Sequence, residues 1–301
     1  MKNFDIYQMV TDRIIAELEK GIIPWKKPWK VAGARIETLA DLKKVAFNRV
    51  TLTAYSALNQ MLLSKAGEYA SFLQWQKLGG KVKKGAKSEI VVFWKLEEYK
   101  TTDENGEEKL IKVPILKYYN VFHIDDIDGV QPITLKETSK AKQKFSNVEQ
   151  AEQIIETYSE RENCKISYQG NEAYYRPSTD EIVIPDRFKF AQRAELYSTI
   201  FHEITHSTGA KQRLDRLDKF SFFGSESYSK EELVAEIGAS GMCSMLDIET
   251  SSSFKNSTAY IQSWLQQLRN DKKLIVSASS KAEKAIDYIL NGKTQEIQQA
   301  A

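Results

Sequence analysis

The spacing of apolar residues changes twice along the chain, from helical to alternating and back to helical. Apolar side chains first recur at intervals of three and four residues, which predicts amphipathic helices over 5–20 and near 51–65 and a short helix after Ser71. Residues 89–99 and 113–124 then alternate apolar and polar positions around an Asp-Glu-Asn-Gly turn, which predicts a β-hairpin. The first part of the chain is therefore predicted to be an α+β domain with an antiparallel sheet.

The second half of the chain is predicted to form a separate domain. Residues 131–146 are polar and lysine-rich, as expected of a linker, and Asn147 is predicted to cap the helix that follows. Short strands are predicted near 165–168, 172–176 and 181–185, and helices at about 191–208, 229–246, 257–270 and 280–291. The expected fold is α+β with two domains, 1–130 and 147–301.

Composition is that of a folded protein. Of the 301 residues, 42% are hydrophobic and 11% are aromatic. No apolar run reaches the roughly 18 residues of a membrane span, and the first residues lack the apolar region of a secretory signal. A cytoplasmic protein without a membrane partner is expected. Cys164 and Cys243 lie far apart in dissimilar contexts, which favours buried free thiols over a disulfide.

A net charge of +2 conceals a basic region. Residues 20–95 contain 15 basic and four acidic residues, and also four of the five tryptophans. Within this region Trp25-Lys26-Lys27-Pro28-Trp29-Lys30 alternates rings and cations, and prolines exclude a helix there. Because single-stranded nucleic acid is held by stacked bases and by cations that follow the phosphates, this composition fits single-stranded DNA as a partner.

The candidate DNA contacts combine this segment with an arginine and a glycine-bounded lysine loop further along the chain. They are Trp25, Lys26, Lys27, Trp29, Lys30, Arg49, Lys81, Lys83, Lys84 and Lys87. The alternative is structural, because tryptophans are more often core residues than binding platforms and lysine clusters are usually solvated. The sequence shows no motif that reads double-stranded DNA.

A catalytic motif stands at His202-Glu203-Ile204-Thr205-His206, which contains two of the three histidines. Helix positions four apart share one face, so both imidazoles can reach one metal ion. Glu203 lies about 100° around the helix, where its carboxylate can act as a base without being a ligand. This pattern is typical of zinc metallopeptidases. The alternative is a chance match on an amphipathic helix with half-buried histidines.

A catalytic zinc needs a third protein ligand and a position for water. The next predicted helix offers Glu232 and Glu236, which share a face one turn apart. The arrangement resembles the Glu-zincin pattern, which implies Glu232 as the ligand and Glu236 as the residue that orients a ligating histidine. Ser229 and Glu232 also fit a capping box, and in that interpretation Glu236 becomes the ligand.

Several further motifs are spaced along the chain. In the first part they are Ile22-Ile23-Pro24-Trp25-Lys26-Lys27-Pro28-Trp29, Tyr55-Ser56-Ala57-Leu58-Asn59, Leu78-Gly79-Gly80-Lys81-Val82-Lys83-Lys84-Gly85, Val91-Val92-Phe93-Trp94-Lys95 and Lys117-Tyr118-Tyr119-Asn120-Val121-Phe122. In the second part they are the two-histidine helix, Thr208-Gly209, Arg213-Leu214, Phe223-Gly224, Tyr228 and residues 231–236. Together they resemble the ArdC-type antirestriction proteins over nearly the whole chain.

This resemblance implies a DNA-binding N-terminal domain that prefers single strands, joined to a zincin-like metallopeptidase domain. Such proteins are carried by plasmids and other mobile elements, where they counter host restriction. His202, His206 and Glu232 would hold Zn²⁺, with Mn²⁺ as an alternative divalent metal. Glu203 would be the general base for cleavage of a host protein, and Tyr228 is a candidate to polarise the scissile carbonyl.

The chain departs from the family pattern at four places. Ala57 replaces a usual glycine, and residues 47–51 blur the preceding Asn-Pro motif. Ser207 follows the second motif histidine where tryptophan is common, and His123 stands where asparagine is usual. We interpret His123 as a strand residue and not as a ligand.

Two further functions compete with a peptidase. The zincin domain could be a non-proteolytic scaffold stabilised by its metal, in a protein that acts by coating DNA. A metal-dependent nuclease is disfavoured because the sequence shows no carboxylate-rich magnesium site.

Overall fold

A computed structural model describes residues 5–30, 32–102, 108–135, 146–217, 226–248 and 258–293. Within these residues a mixed region of helices and strands is followed by a helix-rich region with a small sheet. The predicted α+β class and the two-part architecture are confirmed.

The first region is built around short helices and one long hairpin. Its helices are α1 (Ile6–Glu19), α2 (Leu39–Lys44), α3 (Ala57–Leu62) and α4 (Phe72–Lys77). Its strands are β1 (Ala46–Asn48), β2 (Thr53–Ala54), β3 (Gly67–Ala70), β4 (Lys81–Val82), β5 (Glu89–Thr102), β6 (Glu108–His123) and β7 (Ile127–Asp128). Short 3₁₀ helices lie at Pro24–Lys26 and Ile124–Asp126.

The main sheet has the strand order β2-β1-β3-β6-β5, and β4 pairs separately with β7. Neighbouring strands run antiparallel except β1 and β3, which are parallel. The sheet that alternation predicted as antiparallel is therefore mixed. The parallel pair involves strands of three and four residues, too short for their alternation to indicate a direction.

The helix predicted near 51–65 is shorter than expected. Leu52 adopts a positive φ of 57° in the turn between β1 and β2, and α3 begins only after Ser56. The Ser56 hydroxyl caps α3 by accepting a hydrogen bond from the backbone N–H of Asn59 at 3.3 Å. The apolar spacing before Ser56 therefore belongs to a turn and a strand.

The side chain of Asn59 acts as an extra strand residue at the outer edge of β5. Its Nδ2 donates to the carbonyl of Val92 at 2.9 Å, and its Oδ1 accepts from the N–H of Val92 at 2.8 Å. Both backbone groups of Val92 are thus satisfied where β5 has no neighbouring strand. The Tyr55–Asn59 motif therefore joins α3 to the sheet.

The hairpin of β5 and β6 is longer than predicted. Pairing runs from Glu89 with Val121 to Thr102 with Glu108, and the predicted turn at 103–106 lies outside the described residues. At its base Ile90, Val91 and Val92 are buried. From residue 93 to residue 102 the side chains of β5 are exposed, with Glu97 intermediate.

The second region places a small sheet beside five described helices. Its helices are α5 (Asn147–Glu162), α6 (Arg193–Ser207), α7 (Glu226–Met245), α8 (Thr258–Asn270) and α9 (Leu274–Asn291). Along the chain α5 precedes the sheet and the other four helices follow it. Its strands are β8 (Lys165–Tyr168), β9 (Tyr174–Arg176) and β10 (Glu181–Ile184), in the order β8-β10-β9. A 3₁₀ helix lies at Arg187–Lys189.

Several predicted boundaries in this region move. The cap of α5 is Ser146, which forms a capping box with Glu149, and not Asn147. Helix α7 begins at Glu226, three residues earlier than predicted, and α9 begins at Leu274, six residues earlier. Of the predicted linker, residues 136–145 lie outside the described part of the chain.

One hydrophobic core joins the start of the chain to the second region. Val10, Ile14 and Leu18 of α1 pack in the same buried cluster as residues of α7, α8 and α9. The following segment, which we call the tryptophan segment (residues 22–30), continues this packing against α7. The Oγ of Ser240 donates to the carbonyl of Trp25 at 2.6 Å. The boundary near residue 130 stays a prediction, but the packing of α1 crosses it.

The prediction that Trp25 and Trp29 stack on DNA bases is wrong for this fold. Their exposed fractions are 0% and 1%, so neither ring offers a face to a ligand. Trp25 meets the ring of Trp264 edge-on at a centroid distance of 5.9 Å. Trp29 lies over Gly241, where an added Cβ would be 2.2 Å from Trp29 Cζ2. The rings fasten the start of the chain to α7 and α8.

Two expectations from composition concern the whole chain. Cys164 and Cys243 are both buried and free, as predicted. None of the helices in the described residues combines the length and the hydropathy that a transmembrane span requires.

Candidate metal centre

Helix α6 presents His202 and His206 on one face, as their spacing predicts. Their Nε2 atoms are 3.1 Å apart and their ring centroids are 4.7 Å apart. Two nitrogens bound to one tetrahedral metal at 2.0–2.1 Å would be separated by about 3.3 Å. The two imidazoles are therefore already spaced for a shared metal ion.

Helix α7 brings the third donor, Glu232. Its Oε2 lies 3.5 Å from His202 Nε2, and its Oε1 lies 3.3 Å from His206 Nε2. One donor atom from each of the three residues fits within 4.8 Å of the others, which makes them a candidate metal-binding set. Two imidazole nitrogens and one carboxylate oxygen are a donor set suited to zinc and to related divalent transition metals.

A glycine allows α6 and α7 to approach this closely. An added Cβ at Gly238 would lie 2.7 Å from Thr205 Cγ2, closer than side-chain atoms can pack. Thr205 sits between the two histidines on α6, and Gly238 lies six residues after Glu232 on α7. The glycine therefore brings the helix that carries the carboxylate against the helix that carries the imidazoles.

The capping alternative for Glu232 is not what the structure shows. Helix α7 begins at Glu226, so Ser229 lies inside the helix and not at its first cap position. The hydroxyl of Ser229 instead accepts a hydrogen bond from Gln267 Nε2 at 3.2 Å. Glu232 is therefore not needed for a cap and is available as a ligand.

A different carboxylate from the predicted one orients a histidine. Glu231 Oε1 lies 3.5 Å from His206 Nδ1, the nitrogen that faces away from the donor set. Glu236 is not part of the three-residue set, and it lies in the electrostatic field of Lys26 and His202. The alternative role of Glu236 as a metal ligand is therefore not supported, and its role as the residue that orients a histidine stays a prediction.

Arg216 fixes the Glu231 carboxylate. Its Nε donates to both Glu231 oxygens at 3.1 Å, and its Nη2 donates to Oε1 at 2.9 Å. Its other donors bind α6 directly, through the Thr208 hydroxyl at 2.7 Å and the Thr205 carbonyl. The guanidinium thus links Glu231 on α7 to the helix that carries the histidines.

The electrostatics of the centre favour a bound cation. Burial opposes a charge on His206, but the Glu231 and Glu232 carboxylates raise its pKa to about 10. Burial also opposes a charge on Glu232, yet the two histidines hold its pKa far below the usual range. Glu203 is 7% exposed and adds negative charge beside both histidines. Carboxylates thus surround the imidazoles, as expected where a metal cation replaces protons.

A buried ion network holds the end of the metal helix in place. Arg213 is 0% exposed at its side chain and donates to both oxygens of Asp180 at 2.8 Å. It also donates to Glu162 Oε2 at 3.1 Å and to the Ser207 carbonyl at 3.0 Å. Arg213 therefore ties the residue after His206 to α5 and to the β9–β10 turn.

Tyr228 is the residue predicted to polarise a scissile carbonyl. It lies in α7, but its side chain is outside the described part of the structure. Its role toward a scissile carbonyl stays a prediction.

The cations of the tryptophan segment serve the fold. Lys27 Nζ donates to the carbonyl of Leu63 at 3.1 Å, and Lys30 Nζ lies 2.6 Å from Asp41 Oδ1. Burial lowers the pKa of Lys26 and of Lys27. Structural contacts thus hold Lys27 and Lys30, and Lys26 is half-buried beside the carboxylate of Glu236.

Arg49 is likewise engaged within the fold. Its guanidinium lies 3.3 Å from Glu68 Oε2, and its side chain is 18% exposed. Glu68 also accepts from the Ile133 N–H at 2.6 Å. Arg49 thus helps fasten residues 131–135 to the sheet.

The glycine-bounded loop keeps its lysines at the surface. Lys81, Lys83, Lys84 and Lys87 are all exposed. Lys83 donates to the Asp125 carbonyl at 2.7 Å. Within the described residues Lys81, Lys84 and Lys87 make no ion pair. Of the ten predicted DNA contacts, these four lysines are the ones that face solvent together.

Two family models match the two regions of the chain separately. A model of the N-terminal domain of anti-restriction factor ArdC matches residues 4–122, and a model of zincin-like metallopeptidases matches residues 149–281. The protein y4eC of Sinorhizobium fredii (strain NBRC 101917 / NGR234) is 32% identical over 290 residues, which cover 95% of this chain and 91% of y4eC. The chain belongs to the ArdC family of antirestriction proteins.

Solved structures of this family share the fold. The metal-free crystal structure of antirestriction protein ArdC from plasmid R388 superposes with a TM-score of 0.67 at 35% identity, over 95% of this chain and 97% of that chain. The Mn(II)-bound structure of the same protein gives a TM-score of 0.69 at 33% identity, with the same coverage.

An ArdC-like unit also occurs within larger proteins. DNA primase TraC of Escherichia coli is 32% identical over 311 residues, which cover 97% of this chain but 20% of the primase. The chain thus spans about one fifth of that relative.

Two features of the structure were missed by sequence reasoning. The Glu231–Arg216 pair was missed because the motif drew attention to Glu232 and Glu236. The exposed rings of Phe93, Trp94 and Tyr119 were missed because tryptophans and other large aromatic residues are more often buried than exposed. The adjacent aromatics of Phe93-Trp94 and Tyr118-Tyr119 were the available signal, since neighbouring strand residues point to opposite faces.

Proposed function

We propose that this ArdC-family protein carries a divalent-metal peptidase centre and binds single-stranded DNA in the cytoplasm, where it protects incoming DNA. The observation that carries the peptidase proposal is the convergence of His202, His206 and Glu232 beside the buried carboxylate of Glu203. A zincin-like family match and a Mn(II)-bound relative support a divalent metal. Zn²⁺ and Mn²⁺ both suit two imidazoles and a carboxylate.

The residues divide the catalytic work. His202, His206 and Glu232 would hold the metal, which when bound supplies Lewis acidity and lowers the pKa of a water to about 7 in the zinc case. An oxygen of the Glu203 carboxylate would accept a proton from the attacking water and pass it to the nitrogen of the leaving amine. Glu231, held by Arg216, would keep His206 turned toward the metal position.

Metal content and peptide cleavage separate the parts of this proposal. His202→Ala should lose bound metal, measured by elemental analysis of the purified full chain. Glu203→Gln should keep the metal but cleave no host protein, when new N-termini are profiled in a host lysate treated with each variant. Equal metal in wild type and His202→Ala would disprove the metal centre, and equal cleavage by wild type and Glu203→Gln would disprove the role of Glu203.

One observation favours a second candidate, a non-proteolytic scaffold. Helix α7 carries Glu232 and also receives the tryptophan segment through Ser240 and Gly241. A metal bound to α7 would then stabilise the packing between the two regions without any cleavage. Under this candidate Glu203→Gln would protect DNA from restriction as well as wild type, whereas His202→Ala would protect less and unfold at a lower temperature.

The DNA part of the proposal rests on the exposed lysine loop of residues 81–87 in a protein of the ArdC family. Binding of the full chain to a fluorescent oligo-dT is the direct test, with a hairpin duplex of equal length as the control. Affinity should fall as salt rises, with a logarithmic slope of about 0.7 for each phosphate contact. Equal affinity for duplex, or affinity that salt does not change, would refute single-strand binding by these cations.

A further inference from the structure

Four large aromatic side chains are exposed at one level of the β5–β6 hairpin. Their exposed fractions are 41% for Phe93, 48% for Trp94, 39% for Tyr118 and 36% for Tyr119. In contrast, the tryptophans at positions 25, 29, 75 and 264 are between 0% and 7% exposed. The rings at 93, 94, 118 and 119, which we call the aromatic belt, are thus much more exposed than these four tryptophans.

Strand register explains how the belt surrounds the hairpin. Phe93 pairs with Lys117 and Trp94 pairs with Leu116, so consecutive residues of each strand point to opposite faces. Phe93 and Tyr119 share one face, with ring centroids 5.5 Å apart and planes inclined at 58°. Trp94 and Tyr118 occupy the other face. Each face of the ribbon therefore carries a pair of rings.

The belt lies beside positive charge. Lys95 and Lys117 flank Phe93 on its face, and both approach the same acid, Glu97, at 3.7 and 3.0 Å. One carboxylate thus faces two ammonium groups. At the base of the same strand stands the lysine loop of residues 81–87, and Phe93 comes six residues after Lys87 in the chain. That distance is at most roughly 20 Å.

From this arrangement we propose that the aromatic belt stacks the bases of single-stranded DNA, while the lysine loop follows its phosphates. The inference rests on the proposed single-strand binding and deepens it by naming the site. Exposed aromatic groups beside cations are the two components that bind single strands without sequence preference, over sites of about 4–16 nucleotides.

Two features favour a nucleic acid over a protein partner. Rings on both faces of a ribbon suit bases that are splayed from a single strand, whereas a protein surface would cover one face. The amide of Asn59 occupies the outer edge of β5 at Val92, which interrupts the addition of another strand beside the belt. The test must still distinguish DNA binding from contact of the belt with a second copy of the chain.

Trp94 provides a direct signal, because it is the exposed member of the five tryptophans. Titration of the full-length protein with oligo-dT should quench its fluorescence, and Trp94→Phe should lose most of that quenching while keeping a ring for stacking. Quenching that is unchanged in Trp94→Phe would overturn the placement of bases on the belt.

Affinity tests the rings themselves. Phe93→Ala and Trp94→Ala should each weaken oligo-dT binding about 5- to 150-fold, the range expected for one stacked base. Leu110→Ala is the matched control, since Leu110 lies on the same hairpin and is 63% exposed but has no aromatic face. Leu110→Ala should bind like wild type, and all three variants should still unfold in one cooperative thermal transition, because none of the three side chains belongs to a buried cluster.

The outcomes distinguish this inference from the proposed function. Failure of the wild type to bind oligo-dT would remove single-strand binding itself. Normal binding by Phe93→Ala and Trp94→Ala, with binding intact in wild type, would overturn only the belt. A wild-type dimer in light scattering that both substitutions convert to a monomer, without a change in DNA affinity, would show that the belt contacts a second copy and would also overturn it.

Discussion

Arg216 holds the carboxylate of Glu231, whose Oε1 also approaches His206. The guanidinium binds both Glu231 oxygens within 3.1 Å, and the same carboxylate approaches His206 Nδ1 at 3.5 Å. An oriented acceptor at Nδ1 favours the tautomer that leaves Nε2 free for a metal. Metal affinity should therefore depend on residues that touch no metal.

The first prediction concerns this orientation. Glu231→Gln should weaken binding of Zn²⁺ or Mn²⁺ by about 10- to 100-fold, the usual effect of losing such a partner. Isothermal titration of the full chain with each metal measures it. Glu236→Gln is the comparison on the same helix and should weaken metal binding less than Glu231→Gln does, because Glu231 is the carboxylate that approaches a histidine Nδ1. If Glu236→Gln had the larger effect, the assignment of Glu231 would be wrong.

The second prediction concerns the buried network of Arg213. Replacement by Met should lower the free energy of unfolding by about 3–5 kcal/mol, because Asp180 would be left in the fold without its guanidinium. Burial alone raises the pKa of Asp180, and Arg213 reverses that effect. Urea denaturation checks it. Arg269→Met, which breaks an exposed pair with Glu19, should cost less than about 1 kcal/mol.

The third prediction concerns the contact between Trp29 and Gly241. Gly241→Ala should destabilise the protein by about 1–3 kcal/mol through overpacking, because the new Cβ would overlap Trp29 and Ile286. Thermal melting checks it, and Trp29→Phe in the same background should recover part of the loss by making room. An alanine at 241 that left the melting temperature unchanged would contradict the packing described.

The fourth prediction concerns the pH dependence of stability at His123. This ring is 6% exposed, accepts from the Asp125 N–H at 3.2 Å through Nδ1, and lies 3.1 Å from the Ala66 carbonyl through Nε2. Burial lowers the pKa of His123, and Lys65 lowers it further, against the opposing charges of Asp125 and Glu89. The folded protein therefore holds this histidine neutral.

Because the folded pKa lies below the unfolded value of about 6.5, the unfolded state binds more protons between the two values. His123 thus stabilises the fold fully above pH 6.5 and loses that contribution as pH falls through the folded pKa. His123→Asn should make stability less dependent on pH between about pH 7 and 5, measured by urea midpoints. The difference between the unfolding free energies of variant and wild type at each pH removes the contribution of His202 and His206, which both proteins share. Equal slopes would show that His123 does not titrate in this range.

The metal motif could be read from the sequence because its geometry is local. Four-residue spacing fixes the relation of His202 to His206 on any helix. Glu232 could be predicted only through the resemblance to the Glu-zincin pattern, because its contact with the histidines depends on how α7 packs against α6. Glu231 was missed for the same reason: its partner Arg216 comes from the loop before α7, and no helical period relates the two.

The aromatic residues show where sequence reasoning fails. Trp25 and Trp94 both lie beside lysines, yet one is 0% exposed and the other 48%. Local pattern cannot separate them, because burial of Trp25 depends on Trp264 and α7, more than 200 residues away along the chain. The exposure of Trp94 likewise depends on tertiary packing, because β5 is buried at residues 90–92 and exposed at residues 93–96.

The shared core of α1, the tryptophan segment and helices α7 to α9 has a consequence for evolution by recombination. A crossover near residue 130 would separate α1 from helices that fit its side chains, and the hybrid would have to repack a core inherited from two parents. Recombination between relatives should therefore keep the two regions together. The match to DNA primase TraC agrees with this expectation, because it covers 97% of this chain within 20% of the primase. Evolution should conserve the match between the tryptophan segment and α7 as a single inherited character.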